Sequence, residues 1–331
     1  MKVAFFSARK YEEKIFQETQ KNSDIEFEFF EARLTEKTAQ LANGYHAICV
    51  FVNDLLNETV LTELHKYGVR FIALRCAGFN NVHLPTVKKL GIRVVRVPEY
   101  SPYAVAEHAV ALLLTLNRKI HKAHYHVREM NFSLEGLVGF DLHGKTVGII
   151  GTGKIGHVFA KIMNGFGCSI LVHDIKTDAQ ISATAKYVSL DELFKNSDII
   201  SLHCPLNDST RHLIDANAFA KMKSNAVVIN TGRGGLIDTH ALIDALKAHR
   251  IGGACLDVYE EEEGVFFTDQ SSEGITDDIL ARLTTFPNVI MTSHQAFLTQ
   301  EALMNIADTT KKNLVCLING TRCENEVAHM S

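Results

Sequence analysis

Short apolar runs, separated by segments with helical spacing, fill residues 1–100 of this chain. The runs are Val3–Phe6, Phe27–Phe29, Ala47–Val52, Phe71–Leu74 and Val94–Val97, and Glu58–Lys66 carries a helical pattern between two of them. Strands that are apolar on both pleat faces are buried on both faces, which is the habit of parallel strands joined by crossover helices. The pattern predicts a doubly wound α/β domain. Ser101-Pro102 then reads as a helix start, with a capping hydroxyl followed by proline at the first helical position. Ala104, Val105, His108, Ala109, Leu112 and Leu113 continue at helical spacing, and the helix is expected to run to about Arg128. At ~1.5 Å per residue it would span about 40 Å. A helix so apolar in its first half must be covered, and a partner chain is the expected cover, with burial inside the chain's own domain interface as the alternative.

From Lys145 the strand and helix alternation resumes. Val147-Gly148-Ile149-Ile150 is a buried-strand pattern, followed by Gly151-Thr152-Gly153-Lys154-Ile155-Gly156. Helical spacing over His157–Phe166 and a strand pattern at Ser169–His173 come next, closed by Asp174. Strand, glycine turn, helix, strand and acid in that order form the dinucleotide-binding fingerprint. Glycines let the backbone approach a pyrophosphate, and the helix start offers unpaired N–H groups. A carboxylate at Asp174 suits the two ribose hydroxyls and repels a 2′-phosphate, so NAD is expected over NADP. Further strands are expected at Ile199–Leu202, Ala226–Ile229, Gly253–Leu256 and Val289–Thr292, and a helix at Thr299–Asn319 that returns to the first domain. The expected domains are therefore 1–100 with 298–331, and 101–297.

Length supports two domains, because 331 residues exceed the usual size of one core. A net charge of −4 gives no reason to expect nucleic acid or an anionic membrane. No apolar run is long enough to span a bilayer, and Met1–Phe6 reads as a first strand rather than a signal peptide. The seven cysteines form no C-x-x-C pair, and most lie in apolar contexts, as in a reduced cytoplasmic protein. His121, His124 and His126 cluster on one helix, but no neighbouring acid or cysteine completes a metal set, so no metal is expected.

Three later strands end in chemically active residues. Asn230-Thr231-Gly232-Arg233-Gly234-Gly235 places an arginine between glycines at a strand's carboxyl end, where it suits bidentate recognition of a carboxylate. Leu256-Asp257-Val258-Tyr259 closes another and leads into Glu260, Glu261, Glu262 and Glu263; Glu260, Glu261 and Glu263 read as a solvated acidic face. Thr292-Ser293-His294-Gln295 closes a third, and its histidine is an acid–base candidate. A cation for a carboxylate plus a proton donor for a carbonyl is what reduction of a 2-keto acid requires.

At these residues the chain resembles the D-2-hydroxyacid dehydrogenase family, and within it the fermentative, NAD-dependent, lactate-forming members. Arg75-Cys76-Ala77-Gly78-Phe79-Asn80-Asn81-Val82 resembles the substrate-loop motif, and Val105-Ala106-Glu107-His108 with Leu114-Thr115-Leu116-Asn117-Arg118 resembles the dimerisation helix. Asn131–Leu137, His203-Cys204-Pro205-Leu206 and His294-Gln295-Ala296-Phe297-Leu298-Thr299 are similar to stretches beside the cofactor and to the lactate-type histidine motif. The resemblance implies a flavodoxin-like substrate domain and a Rossmann NAD domain, both doubly wound parallel sheets, with the active site in the cleft between them. It implies a long dimerisation helix near 102–128 and a homodimer or homotetramer. Its implied reaction is pyruvate plus NADH plus a proton giving D-lactate plus NAD. Arg233 would bind and polarise the substrate, His294 would protonate the keto oxygen and Glu262 would partner His294. The backbone at Ala77 and Gly78 would take the substrate carboxylate, with Phe51, Tyr100 and Phe297 around its side chain. Gly151, Gly153, Lys154, Ile155, Gly156, Asp174, His203, Cys204, Pro205, Thr231, Gly232 and Asp257 would line the NAD site. Family members acting on larger 2-keto acids share this pattern, and an NAD-binding corepressor without turnover is the remote alternative. L-lactate and malate dehydrogenases carry their glycine fingerprint near the amino terminus, unlike this chain.

Overall fold

The computed structural model describes residues 1–20, 24–262 and 264–327. Glu263, expected on a solvated face, lies outside them. The chain forms two units, Met1–Ser101 joined by the chain from Phe297, and Pro102–Ala296.

In the first unit the strands are β1 (Lys2–Phe5), β2 (Glu26–Phe29), β3 (Ala47–Val50), β4 (Phe71–Leu74) and β5 (Arg93–Arg96). They pair in the order β2-β1-β3-β4-β5, every pair parallel. This is the doubly wound order in which the chain crosses to the far side of β1 after β2. Ala47 to Val50 are all buried, as their unbroken apolar run requires, whereas edge strand β2 buries Phe27 and exposes Glu26 and Glu28. Helices α1 (Lys10–Gln20), α2 (Glu58–Lys66) and α3 (Leu84–Leu90) cross between strands. The Asn57 side chain caps α2 by accepting the Val60 N–H at 2.9 Å. The carboxyl-terminal helix, Gln300–Ile318, packs on β4, β5 and α1 in this unit.

In the second unit the chain runs through α4 (Pro102–Arg118), α5 (Ile120–Arg128), β6 (Thr146–Ile150), α6 (Lys154–Gly165), β7 (Ser169–His173), α7 (Ala179–Ser182) and β8 (Lys186–Tyr187). It continues through α8 (Leu190–Asn196), β9 (Ile199–Leu202), α9 (Ala216–Lys221), β10 (Val227–Asn230), α10 (Thr239–Lys247), β11 (Gly253–Leu256), α11 (Asp278–Thr284) and β12 (Val289–Met291). The parallel sheet has the order β12-β11-β10-β9-β6-β7-β8. Successive crossovers diverge at the boundary of β6 and β9, which opens a crevice at the carboxyl ends of those strands.

The helix expected over 102–128 is two helices. Lys119 adopts φ 51° and separates α4 from α5. Nor does the apolar half of α4 await a partner. Ala106, Ala109, Val110, Leu112, Leu113 and Leu116 are buried in this unit's own core with Phe159, Ala160 and Met163 of α6. Exposed apolar side chains occur farther along instead, at Ile120, Tyr125, Val127, Met130, Phe132, Leu134 and Val138. α5 buries none of its residues fully.

The seven cysteines are free. Burial pushes the Cys49 thiol up to about 12 and the Cys204 thiol up to about 11, so both stay protonated. Among the described residues no helix is long and apolar enough to cross a membrane, and no His, Cys, Asp or Glu cluster can hold a metal ion.

Candidate active site

The glycine turn sits at the crevice between β6 and β9. Gly151 takes φ +95°, a region closed to most side chains. A Cβ there would also lie 2.5 Å from the Cys204 nitrogen, so the turn presses directly on the loop after β9. Helix α6 begins at Lys154, three residues earlier than its apolar spacing alone predicts, with Gly153 as its N-cap. The N–H groups of Lys154, Ile155 and Gly156 therefore belong to the first helical turn, where no intrahelical acceptor exists. Space beside the Gly153 α-carbon is open, while a Cβ on Gly156 would lie 2.1 Å from the Gly151 carbonyl oxygen.

Asp174 follows β7. Its Oδ2 accepts the Thr152 N–H at 2.6 Å and the Thr152 hydroxyl at 2.9 Å, and its Oδ1 accepts the Lys176 N–H at 3.2 Å. Burial favours protonation, but these bonds outweigh it and hold the carboxyl below the usual range. Residue 174 is therefore an anion at the rim of the glycine turn. Across the crevice, the His203 N–H bonds to the Ile150 carbonyl at 2.7 Å. The His203 ring lies 5.0 Å from Phe159 and its Nε2 is 2.9 Å from the Ser201 hydroxyl. Burial pushes this imidazole down to about 4, so it is neutral at pH 7.

Thr231, Gly232 and Arg233 follow β10. The loop is shaped by Asn230, whose Nδ2 donates to the Arg233 carbonyl at 2.8 Å and whose Oδ1 accepts the Gly232 N–H at 3.1 Å. Arg233 donates one bond from Nη1 to the Gly232 carbonyl at 2.7 Å, and no acidic partner among the described residues neutralises it. The Thr231 hydroxyl is buried without a hydrogen-bond partner among the described residues. An orphaned buried hydroxyl calls for a ligand or water. With the open face at Gly153 and the first-turn N–H groups of Ile155 and Gly156, it fits a dinucleotide lying over the strand ends.

The β11 and β12 ends form one bonded group. Asp257 is fully buried. It accepts the Thr292 hydroxyl at 2.5 Å, the Gln295 N–H at 2.9 Å and the Ala296 N–H at 2.8 Å. Burial alone would raise its pKa, but the bonds from His108, Thr292, Gln295 and Ala296 bring the net shift below the usual range. His294 donates its backbone N–H to the Asp257 carbonyl at 2.7 Å and adopts φ 55°. Its Nδ1 lies 2.8 Å from Glu262 Oε1, and Glu262 Oε2 accepts the Tyr259 N–H at 3.1 Å. The carboxylate is thus fixed by its own turn at one oxygen and holds Nδ1–H with the other. That leaves Nε2 as the ring atom able to exchange a proton with a substrate. Gly234 couples the arginine loop to the acidic loop, since a Cβ there would lie 2.1 Å from the Tyr259 carbonyl carbon.

Sequence reasoning left Glu260 on a solvated face, and the structure corrects this. Its Oε1 is 2.7 Å from both Arg211 Nη2 and His212 Nε2, and its side chain is mostly covered. The acidic run conceals this role because the partners lie on another loop. Glu261 is exposed as expected.

Of the remaining expected residues, all in the first unit, Phe51, Ala77, Gly78 and Tyr100 follow its strands β3, β4 and β5, and Phe297 precedes its carboxyl-terminal helix. Phe51 and Tyr100 both contact Phe297, with ring centroids 5.7 and 6.3 Å apart. The carbonyl of Ala77 accepts Arg96 Nη1 at 2.6 Å, and that of Gly78 accepts the Cys76 thiol at 3.3 Å. The N–H groups of both residues bond to no acceptor among the described residues. Two adjacent free donors suit an anion.

Residues 110–296 match the family described as D-isomer specific 2-hydroxyacid dehydrogenase, NAD binding domain. The D-lactate dehydrogenase of Escherichia coli strain K12 is 51% identical over 328 residues, covering 99% of this chain and 100% of that protein. Its apo structure superposes with TM-score 0.91, covering 99% of this chain and 100% of that one, at 49% identity. A structure of the pyruvate reductase of Chlamydomonas reinhardtii superposes with TM-score 0.94 at 45% identity, covering 98% of each chain.

Proposed function

Since the chain belongs to the D-isomer specific 2-hydroxyacid dehydrogenases and carries their NAD-binding domain, we propose that it reduces pyruvate to D-lactate. The observation that carries this reading is the His294–Glu262 pair, which joins the β12 and β11 ends, with Arg233 at the end of β10, the next strand of the same sheet. NADH, when bound, supplies the hydride. Arg233 draws electron density from the keto group and binds the anionic substrate. His294 gives its Nε2 proton to the keto oxygen, and Glu262 stabilises the imidazolium form that makes this donation possible. The free N–H groups of Ala77 and Gly78 take the substrate carboxylate. Phe51, Tyr100 and Phe297 form an apolar wall that suits a methyl group. For the cofactor, the first turn of α6 receives the pyrophosphate, Asp174 the adenosine ribose and the Thr231 hydroxyl the chain beyond it. The loop at His203, Cys204 and Pro205 borders the nucleotide through its backbone.

We further assign the exposed apolar stretch from Ile120 to Val138 to contact with a second copy of the chain, and, from its seven free cysteines, the working compartment to the cytoplasm. Light scattering on the purified protein tests the first, and a monomer at micromolar concentration would refute it.

The activity test is NADH oxidation by purified protein with pyruvate, phenylpyruvate and 2-ketoisocaproate, followed by chiral analysis of the product. Pyruvate-dependent oxidation giving the D isomer is the expected result. No oxidation, the L isomer, or a clear preference for the larger acids would overturn the assignment.

A further inference from the structure

His108 is the one titratable side chain on α4 that reaches the bonded group around His294. Its Nε2 is 3.3 Å from Asp257 Oδ1 and 3.1 Å from the Thr292 hydroxyl oxygen. The direction of these bonds follows from counting hydrogens. Thr292 has one hydroxyl hydrogen and gives it to Asp257 at 2.5 Å. Towards His108 the Thr292 oxygen is therefore an acceptor, and His108 must carry its hydrogen on Nε2. The imidazole then donates between Thr292 and the carboxylate, with its side chain 18% exposed.

The carboxylate it holds controls the turn at residues 292–296. Asp257 accepts from Thr292, Gln295 and Ala296, and its carbonyl takes the His294 N–H. These bonds enclose a histidine at φ 55°, a conformation that non-glycine residues seldom adopt and that the surroundings must impose. An anion that is fully buried needs donors on every side, and no Lys or Arg bonds to Asp257 among the described residues. Among the described residues, His108 is its only side-chain donor from outside β12 and the turn that follows it.

We propose that His108 is a positioning residue of this reaction: it fixes the Asp257 carboxylate from α4, and so fixes the left-handed turn that presents His294. This rests on the catalytic assignment of His294 made above. His108 touches neither His294 nor, by this inference, the substrate. It acts through Asp257 and Thr292.

The test replaces His108 by leucine, which fills the space without a donor, and by glutamine, whose amide reaches about as far and donates. Amide hydrogen exchange is read in peptides covering 292–297 and, as a control, 154–165. Leucine should speed exchange in the 292–297 peptides and lower kcat by about tenfold, the worth of one hydrogen bond to a charged group. NADH affinity and exchange in the control peptides should stay unchanged, and glutamine should restore both affected readings. Thr292→Val should reproduce the leucine pattern and Thr292→Ser should not, which keeps the inference testable if a His108 variant folds poorly. Wild-type exchange at 292–297 in both His108→Leu and Thr292→Val would overturn the inference, as would equal impairment by leucine and glutamine. If the wild-type protein fails to reduce pyruvate, the functional reading falls while the exchange result still decides this one.

Discussion

Two glycines three residues apart should respond oppositely to the same added methyl group. At Gly156 the new Cβ would lie 2.1 Å from the Gly151 carbonyl oxygen and 3.1 Å from its carbon. Both atoms are backbone, so relief requires the first turn of α6 to move about 1 Å away from the end of β6. Forced overpacking of this kind costs about 1–3 kcal/mol. For a unit of this size that lowers Tm by roughly 2–12 °C. At Gly153 the Cβ meets nothing within 4 Å, and φ −64° with ψ −175° is open to any residue. Alanine there gives up a little as an N-cap and recovers about 0.4–1 kcal/mol from the unfolded chain. Its stability should stay within about 1 kcal/mol of wild type. The methyl nevertheless fills the face that a pyrophosphate must approach. Gly153→Ala should therefore weaken NADH by about tenfold or more, or at least ~1.4 kcal/mol. Melting without ligand and NADH fluorescence titration separate the two effects. Wild-type NADH affinity in Gly153→Ala, or wild-type stability in Gly156→Ala, would refute the division of labour between pyrophosphate approach and helix packing.

Substitution of His294 by glutamine should lower kcat by about two to four powers of ten with NADH binding intact, whereas Glu262→Gln, which keeps the shape and removes the anion, should cost about 10–100-fold; steady-state kinetics with pyruvate checks both. Asp174 is held as an anion by Thr152 and Lys176, so Asp174→Asn should raise the kcat/KM ratio of NADPH to NADH by at least about tenfold; an unchanged ratio would remove Asp174 from cofactor selection. His203 titrates near 4 in the fold and near 6.5 when unfolded, so the unfolded chain takes up the proton first and stability falls as pH drops through that window. The loss is at most about 3 kcal/mol, since solvent reaches part of the residue, and His203→Gln should flatten the decline of Tm between pH 7 and pH 4.5; equal declines would refute it.

How far each feature shows in the sequence depends on how far it depends on neighbours in sequence. Ala47–Val50 and Ile199–Leu202 are buried on both faces, and an unbroken apolar run states that directly. β8 has two residues, too few to carry a period. The break at Lys119 has no glycine or proline to announce it, so the spacing reads through it as one helix. Arg233 and His294 are legible because each follows a strand, and strand ends of one parallel sheet share an edge, whereas Glu262 is picked out of its acidic run only by the family resemblance. Glu260 is not, because its partners Arg211 and His212 are 49 and 48 residues away and a run of four acids looks solvated. The bond from His108 to Thr292 spans 184 residues, and only the packing of α4 brings them together.

The residues that bear the chemistry break the local rules that the scaffold obeys. His294 occupies a left-handed conformation, Gly151 takes φ +95° and Gly234 leaves no room for a side chain against Tyr259. A left-handed non-glycine residue costs of order 1–3 kcal/mol, so it persists only where other bonds outweigh it. Here they do, for Asp257 gathers three donors from the same turn besides His108. Each bond to a charged acceptor contributes about 1.5–3 kcal/mol, enough in sum to hold the turn. The strain and its compensation lie on opposite sides of one buried carboxylate. Removing that carboxylate should therefore damage catalysis more than its distance from the proton transfer suggests, because the turn would relax and carry the His294 ring away from Glu262.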